Sequence, residues 1–303
     1  MPNLFFFSYL LYAALMLVAL VGAVWWRRKK RKTRVPPIVL AARVTRLPGE
    51  SARGKIESLN DELIADTFVG FLIPCVVILP VTLTIQFLRL TGMTRTLILF
   101  VFPVLSLALL AVIVVRMSRR LMERSDWYLG QYGERNVADN LDPLRQRGWR
   151  VFHDVPAERN GQKFNVDHVV VGPGGVIAVE TKTPRRPEMA NRMSEDHIVD
   201  YDGEKFRWPT GLLDSDKPKR ARARADWLKH WLVEQKVPVL DVFAILAIPW
   251  WLVRVPKGSN FEIPAVNPGQ LVAVISSLPT ILSREQINAI SEKLESHCRD
   301  VPL

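Results

Sequence analysis

Residues 165–182, which read NVDHVVVGPGGVIAVETK, contain two apolar runs separated by Gly172-Pro173-Gly174-Gly175. Both runs are rich in β-branched side chains, which favour strands, and no helix or strand interior readily tolerates the sequence between them. The pattern predicts a β-hairpin with a four-residue connection. We interpret the rest of the chain as organised around this hairpin.

The expected register of the hairpin brings charged side chains together. If Val171 faces Val176, counting back along both strands places Asp167 opposite Glu180. Because side chains alternate across a strand, Glu180 and Lys182 share one face, and the pairing puts Asp167 on that face too. Two carboxylates and one ammonium group therefore converge on one patch of an otherwise apolar hairpin.

Clustered carboxylates repel each other and raise each other's pKa unless a cation lies between them. A hard divalent cation with oxygen ligands, Mg²⁺ or else Mn²⁺, is the expected occupant beside Asp167 and Glu180. Such a metal activates water and stabilises charge on a phosphoryl group, while Lys182 positions the nucleophile or stabilises the transition state. The pattern predicts metal-dependent phosphodiester hydrolysis. The alternative is a solvated ion pair on an edge strand, because E-x-K alone is a weak motif.

Around these residues the sequence resembles a known family. Gly133-Glu134, residues 167–176 and Val179-Glu180-Thr181-Lys182 are similar to the NERD (nuclease-related) domain of the PD-(D/E)xK nuclease superfamily. The resemblance extends from Trp127 onward and is strongest over the hairpin. It implies an α/β, restriction-endonuclease-like fold with a mixed central sheet flanked by helices. It also implies that Glu134, Asp167 and Glu180 are metal ligands and that Lys182 is a further catalytic residue.

One segment departs from the family pattern. The family often has an Asn-Pro pair and then a Gln early in a later helix, whereas this chain has Lys217-Pro218-Lys219-Arg220-Ala221. The missing Asn and Gln leave open a second interpretation, a catalytically inactive NERD-like module that binds nucleic acid or protein at the membrane. A third interpretation, in which membrane spans carry the function, is less favoured because no span contains a central charge.

Hydrophobic residues crowd the first 116 positions of the 303-residue chain, which predicts a membrane region followed by one soluble domain. Three apolar segments are long enough to cross a bilayer as helices. The predicted order is a first transmembrane helix (1–26), a basic cytoplasmic loop with a short helix near 57–64 (27–66), a hairpin of two transmembrane helices (67–116), a linker (117–126) and the nuclease-like domain (127–303).

Basic residues follow the first and third of these spans, at residues 27–34 and at Arg116, Arg119, Arg120 and Arg124. The positive-inside rule then predicts that the N-terminus lies outside and that the C-terminal domain lies in the cytoplasm. Together with the resemblance, this indicates a multi-pass protein of the bacterial inner (cytoplasmic) membrane, with the lipid bilayer as one partner.

A net charge of +11 and a pI near 9.9 indicate affinity for polyanions, either anionic lipid or nucleic acid. For the nuclease interpretation, we expect DNA rather than RNA as the nucleic-acid partner. Two cysteines without a CxxC pattern argue against a disulfide framework or a zinc site. The basic residues near the E-x-K strand are equally consistent with a solvated surface and with phosphate contacts. The predicted nucleic-acid-binding residues are Arg185, Arg186, Lys219, Arg220 and Arg224.

Periodicity and capping patterns predict the other elements of the domain. Glu134 is expected to open a helix, so that stabilisation of the first turn by the helix dipole is the alternative to a metal role. His153 and Asp154 are expected to be solvated strand-end residues, whereas His168 packs on the face opposite Asp167. The remaining predictions are strands at 149–155, 239–248 and 271–275, a small hairpin turning at Asp202-Gly203, and helices at 218–234 and 283–297.

Overall fold

The structure is a computed structural model that describes residue 22 and residues 46–89, 91–186, 196–237 and 241–298. The predicted first transmembrane helix (apart from Gly22) and the basic loop up to residue 45 lie outside the described residues. The described chain divides into two compact units, residues 57–125 and residues 46–56 with 126–298. Each unit is described by itself.

Two long helices, α1 (Glu50–Phe87) and α2 (Gly92–Arg145), form the first unit and continue into the second. Within the first unit the helices run antiparallel and are joined through polar side chains. Arg120 contacts Glu62 at 2.9 Å and also pairs with Asp66, and Arg124 donates to Asn60 at 2.5 Å. Asp66 is buried, so its charge is compensated by Arg120 rather than by water.

Among the described residues, one helix, α2, is long and apolar enough to cross a membrane. Only 6 % of its most apolar 18-residue window is buried, so the apolar side chains face outward. The prediction of three transmembrane helices is therefore supported for one of them. The predicted second span, residues 67–88, falls largely in α1.

The two long helices also replace several shorter predicted elements. The short helix predicted near residues 57–64 is an interior part of α1, and residues 117–126 are helical within α2. The prediction that Glu134 opens a helix is wrong, because α2 begins at Gly92 and continues through Glu134 without a break.

A five-stranded mixed sheet with the order β1-β2-β3-β7-β9 forms the centre of the second unit. The first three strands make an antiparallel meander, and β7 and β9 then add parallel to β3. The sheet has helices packed on it, as predicted for the α/β class. Its strands are β1 (Arg150–Arg159), β2 (Gln162–Gly172), β3 (Gly175–Thr181), β7 (Val242–Ala247) and β9 (Ala265–Val266).

Helices cover both faces of this sheet, which creates two buried clusters. One cluster contains the buried stripe of α3 (Asp216–Glu234) and residues of α5 (Arg284–His297). The other contains the C-terminal part of α2 and α4 (Leu271–Ser276). The predicted helix at 218–234 is confirmed, and its predicted apolar stripe is buried: Ala221, Ala225, Leu228 and Leu232.

The central hairpin has the predicted register, since Val171 pairs with Val176. Its connection is shorter than predicted, because Gly172 and Gly175 also pair and leave only Pro173-Gly174 in the turn. Gly172 is required for packing, since a Cβ there would lie 2.2 Å from ring atoms of Trp149. The turn is held by Pro173, whose carbonyl accepts hydrogen bonds from the backbone of Ile281 and Leu282.

Four short strands form a second sheet with the order β6-β5-β4-β8. The predicted small hairpin is present in it, with β4 and β5 antiparallel across the turn that contains Asp202 and Gly203. The strands are β4 (Ile198–Tyr201), β5 (Phe206–Arg207), β6 (Leu213–Asp214) and β8 (Leu252–Arg254).

The strand predicted at 271–275 is wrong, because these residues form α4. A 3-10 helix (Pro268–Gln270) precedes it, and Asn267 and Gln270 form a capping box that starts the helical path. The predicted helix at 283–297 is confirmed, with Ser283 as its N-cap and Gln286 completing a second capping box.

Replacing Gly172 tests the packing of the central hairpin. Gly172→Ala should lower the free energy of unfolding by about 1–3 kcal/mol, because the added methyl group overlaps the Trp149 ring. The measurement is urea unfolding followed by tryptophan fluorescence. Gly130→Ala is the matched control, since nothing lies within 4 Å of a Cβ there. An equal loss of stability in both variants would contradict the proposed overlap.

Candidate active site

The hairpin register brings Asp167 and Glu180 together at the end of the strand pair. His168 pairs with Val179, so Asp167 and Glu180 occupy the next opposed positions. Both carboxylates are withdrawn from water, with 7 % and 3 % of their surfaces exposed. Asp167 Oδ2 accepts a hydrogen bond from the backbone N–H of Thr181 at 2.7 Å, which fixes the aspartate against β3.

Lys182 lies immediately after β3 and completes the predicted cluster. Its backbone N–H donates to the carbonyl of Ala247 at 3.0 Å, so β7 fixes its position. Its Nζ atom lies 2.6 Å from Glu180 Oε1. Burial lowers the pKa of Lys182, but the nearby Glu180 and Asp167 carboxylates outweigh this effect and raise the pKa overall. Lys182 therefore remains an ammonium group at neutral pH.

Burial and neighbouring negative charge also change the protonation of Asp167. Burial is the main cause, and together with the Glu180 carboxylate it raises the pKa of Asp167 to about 7. The Lys182 ammonium, the Thr181 N–H group and the Arg224 guanidinium oppose this shift. A carboxyl group with this pKa exchanges its proton near neutrality.

Glu134 belongs to the same electrostatic cluster, although it comes from α2. Burial raises the pKa of Glu134 to about 9, and the charges of Asp167 and Asp154 add to this effect. Gly133 allows the helix to approach the end of β3, since a Cβ there would lie 2.0 Å from Thr183 Cγ2. Because Glu134 lies deep inside α2, stabilisation of a first helical turn does not explain it.

The donor chemistry of this cluster fits a hard cation. Glu134 Oε2 and Glu180 Oε2 are buried and have no hydrogen-bond partner among the described residues. Oxygen atoms of this kind are natural ligands for Mg²⁺ or Mn²⁺. Within the same part of the chain, however, no three His, Cys, Asp or Glu side chains are arranged to hold a metal ion together. The donor set is therefore suitable by chemistry, but it is not a preformed three-ligand site.

The predicted nucleic-acid-binding residues fall into two groups. Arg224 lies beside the cluster, with its Nε atom 3.9 Å from Glu180 Oε2, and Arg220 lines a cavity of about 410 Å³ together with Lys182. In contrast, Arg185 pairs with Asp126 at 2.5 Å, and Arg186 pairs with Asp196. Lys219 is exposed on α3. The residues of α3 are thus better placed for phosphate contacts than those after β3.

A buried network around Asp154 was not predicted from the sequence. Asp154 is completely buried and has a φ of +49°, so the prediction of a solvated residue is wrong. It accepts hydrogen bonds from Arg46 Nε and Ser51 Oγ, each at 2.8 Å. Asn165 Nδ2 lies 2.7 Å from Asp154 Oδ1 and 3.4 Å from Asp167 Oδ1. Asn165 therefore joins this network to the candidate site.

The two strand histidines form a pair away from the carboxylates. His168 is buried, as predicted for the face opposite Asp167, and its Nδ1 lies 2.9 Å from Nδ1 of the partly buried His153. Burial lowers the pKa of His153 to about 4 and lowers the pKa of His168 as well. Both rings are neutral at pH 7, so the Nδ1–H of one ring donates a hydrogen bond to the unprotonated Nδ1 of the other. His153, which was predicted to be a solvated strand-end residue, is instead partly buried and lies within β1.

Asp167→Asn tests whether the aspartate carries unfavourable charge in the metal-free protein. Its folded-state pKa of about 7 lies above the ordinary value of 3.8, so its stabilising contribution is present below pH 4 and is lost as the pH rises through 7. Without divalent cations, the stability of the variant relative to the wild type should be lowest near pH 4 and should rise by up to about 4 kcal/mol between pH 4 and pH 8, because a shift of about three pKa units is worth about that much. Chemical denaturation at both pH values measures the difference. A variant that is less stable at pH 8 would mean that Asp167 serves mainly as a structural partner of Lys182.

Comparison with known proteins adds an independent observation. Residues 129–249 match the family model of the nuclease-related domain, NERD. This range includes Glu134, Asp167, Glu180 and Lys182. No curated protein and no solved structure matches the chain. The match supports membership of the NERD family for this domain and suggests a nuclease-related function.

Proposed function

We propose that the chain is a membrane-anchored nuclease that uses Mg²⁺ or Mn²⁺ to hydrolyse phosphodiester bonds of nucleic acid, with DNA as the preferred substrate. The convergence of Asp167, Glu180 and Lys182 at the end of one hairpin carries this proposal. The match of residues 129–249 to the nuclease-related domain supports it.

Asp167 and Glu180 would hold the metal, and Glu134 would add a ligand directly or through water. When bound, the cation polarises a phosphoryl oxygen and lowers the pKa of bound water. Glu134 and Asp167 have raised pKa values and must release protons before they can act as ligands. Metal affinity should therefore increase as the pH rises from 6 to 9.

Lys182 is suited to stabilising negative charge rather than to accepting a proton, because its raised pKa keeps it protonated. An ammonium group in this partly buried position would stabilise the charge that develops on the phosphoryl oxygens in the transition state. Arg220 shares a cavity with Lys182, and Arg224 lies beside Glu180, so both would contact flanking phosphates.

Cleavage assays with site variants test this function. The full-length protein would be incubated with plasmid DNA, single-stranded DNA or RNA, in Mg²⁺, Mn²⁺ or EDTA. Cleavage should require the cation, and Glu180→Gln and Lys182→Ala should each reduce its rate by about 10²-fold or more. Glu180→Gln removes one charge at constant volume, whereas Lys182→Ala removes the charge and most of the side chain, so the folding of both variants would be checked by circular dichroism.

Glu204→Gln is the matched control, because Glu204 is an exposed glutamate in the turn between β4 and β5. It should cleave at the wild-type rate. Cation-dependent cleavage that survives in both Glu180→Gln and Lys182→Ala would reject this assignment of the active site.

A second candidate function is a catalytically inactive module that binds nucleic acid or protein. The contacts of Glu180 with Lys182 and Arg224 favour it, because they neutralise the glutamate without a metal. The replacement of the family's Asn and Gln in residues 217–221 points the same way. Nucleic-acid binding that needs no cation and persists in Asp167→Ala, without cleavage in any condition, would establish this alternative.

For the first unit, we propose insertion into the bacterial inner membrane, with the N-terminus outside and the domain in the cytoplasm. The outward-facing apolar side chains of α2 support insertion, since a surface of this kind is costly to expose to water. The positions of Arg116, Arg119 and Arg120 after the apolar segment support the orientation.

Membrane extraction and protease protection test this topology. The full-length protein should stay in the membrane fraction after an alkaline carbonate wash, because an inserted helix is not released by loss of charge contacts. A protease added to inverted vesicles should digest the C-terminal domain, whereas the same protease should leave the domain intact in right-side-out vesicles. Release by carbonate would contradict insertion.

A further inference from the structure

A groove of about 710 Å³ lies on the second unit, beside the C-terminal half of α3. It lies between α3, the paired ends of β1 and β2, and the end of α5. Its volume falls in the range of roughly 300–1,000 Å³ that is typical of ligand sites. The lining residues that matter here are Phe164, Trp227, Trp231, His297, Arg159 and Lys163.

Aromatic rings form one wall of this groove. Trp227 and Trp231 lie one turn apart on α3, with ring planes within 17° of parallel and centroids 6.1 Å apart. His297 lies 4.6 Å from Trp231, and Phe164 lies 5.6 Å from Trp227. The four rings form an aromatic wall that is only partly covered by the core, since both tryptophans are partly buried.

This aromatic wall is held rigidly before any ligand binds. Trp227 Nε1 donates to the carbonyl of Glu158 at 3.0 Å, and His297 Nε2 lies 2.8 Å from the carbonyl of Pro156. Fixed aromatic rings lose little conformational entropy when they bind a flat ligand.

The groove also has a positively charged end. Arg159 and Lys163 flank the Asn160-Gly161 turn between β1 and β2, and both side chains are exposed. Glu158 also lines the groove and is paired with Lys163 across the two strands, so the two basic residues at the turn end are partly offset but still outnumber the acidic one. Glu234 lies farther along α3. A ligand that combines flat apolar surfaces with negative charge fits this arrangement.

Arg224 connects the groove to the candidate active site. Its guanidinium carbon lies 4.0 Å from the centroid of the Phe164 ring, and its Nε atom lies 3.9 Å from Glu180 Oε2. That Nε atom is buried and has no hydrogen-bond partner among the described residues. The Arg224 side chain as a whole is 25 % exposed, so its guanidinium group, apart from the buried Nε atom, can meet a phosphate between the aromatic wall and the carboxylate cluster.

We propose that the groove binds unpaired nucleobases, so that the nuclease acts on single-stranded nucleic acid. Bases would stack on Trp227 and Trp231, while the strand's phosphates pass Arg224 on the way to Glu180 and Lys182. Duplex DNA fits poorly, because its bases are stacked on each other and do not offer free faces to aromatic side chains. This inference rests on the proposed nuclease function and identifies the form of its substrate.

Binding assays in EDTA test the groove separately from cleavage. Fluorescence anisotropy of the full-length protein would compare labelled 12-nucleotide oligo(dT), a duplex of equal length, and an abasic 12-mer that keeps the sugar–phosphate chain. Oligo(dT) should bind about 10-fold or more tightly than the abasic strand or the duplex. Trp227→Leu and Trp231→Leu should each weaken oligo(dT) binding by roughly 5- to 100-fold and leave abasic binding unchanged.

Two further variants separate stacking from folding. Trp231→Phe keeps an aromatic face and should retain most of the oligo(dT) affinity. Val233→Ala alters an exposed residue of α3 outside the groove and should bind like the wild type. Equal binding of oligo(dT) and the abasic strand, or an equal loss for both in the tryptophan variants, would overturn the proposal.

The remaining outcomes concern other occupants of the groove. If thymidine monophosphate binds as tightly as oligo(dT), the ligand is a free nucleotide and the single-strand proposal fails. If oligo(dT) binds only after residues 299–303 are deleted, the chain's own terminus occupies the groove and the proposal fails. Base-dependent binding without cleavage would reject the nuclease but keep the groove. A cleavage rate that is unchanged in the tryptophan variants would keep the nuclease and reject the groove as its binding site for the strand.

Discussion

The central constraint in this structure is the burial of two carboxylates, Asp167 and Glu180, at the end of one β-hairpin. Charges of one sign that are removed from water must be neutralised by protons or by cations. Three other elements supply that neutralisation or limit it. The segment after β3 contributes Lys182, α3 contributes Arg224, and α2 adds a third acidic group, Glu134. The sheet and its covering helices therefore serve to hold opposed charges at short distances.

The hairpin was predictable because its information is local. Two apolar, β-branched runs around a central Gly-Pro segment are enough to determine the strands and the register, and the alternation of side chains along each strand then gives the shared face of Asp167 and Glu180. The turn length was missed because glycines that can occupy a loop also pair across a tight turn. The apolar run at 271–275 was missed for a different reason. Five apolar residues fit a strand or a helix, and the deciding capping box of Asn267 and Gln270 precedes the run.

The candidate site was only partly predictable, and the missing part depends on distant contacts. Arg46 neutralises Asp154 across 108 positions of sequence, and no local pattern indicates such a contact. Asn165 could have been found, since it lies two residues before Asp167 and therefore shares its face. Similarly, the sequence places Arg185 and Arg186 near the E-x-K strand, but their acidic partners, Asp126 and Asp196, are visible only in the folded chain.

The close contact between Lys182 and Glu180 also lowers the electrostatic cost of burying the cluster. Buried carboxylates need their negative charge compensated. The raised pKa values of Asp167 and Glu134 indicate that bound protons provide part of this compensation. Lys182 provides another part of the charge compensation, because its ammonium group lies 2.6 Å from Glu180. A divalent cation would replace the protons rather than the lysine, since the carboxyl pKa values of about 7 and about 9 lie below the pKa of Lys182, which is raised from 10.5. Lys182 would then be free to direct its charge toward a phosphoryl group, so the same side chain stabilises the resting domain and serves the proposed reaction.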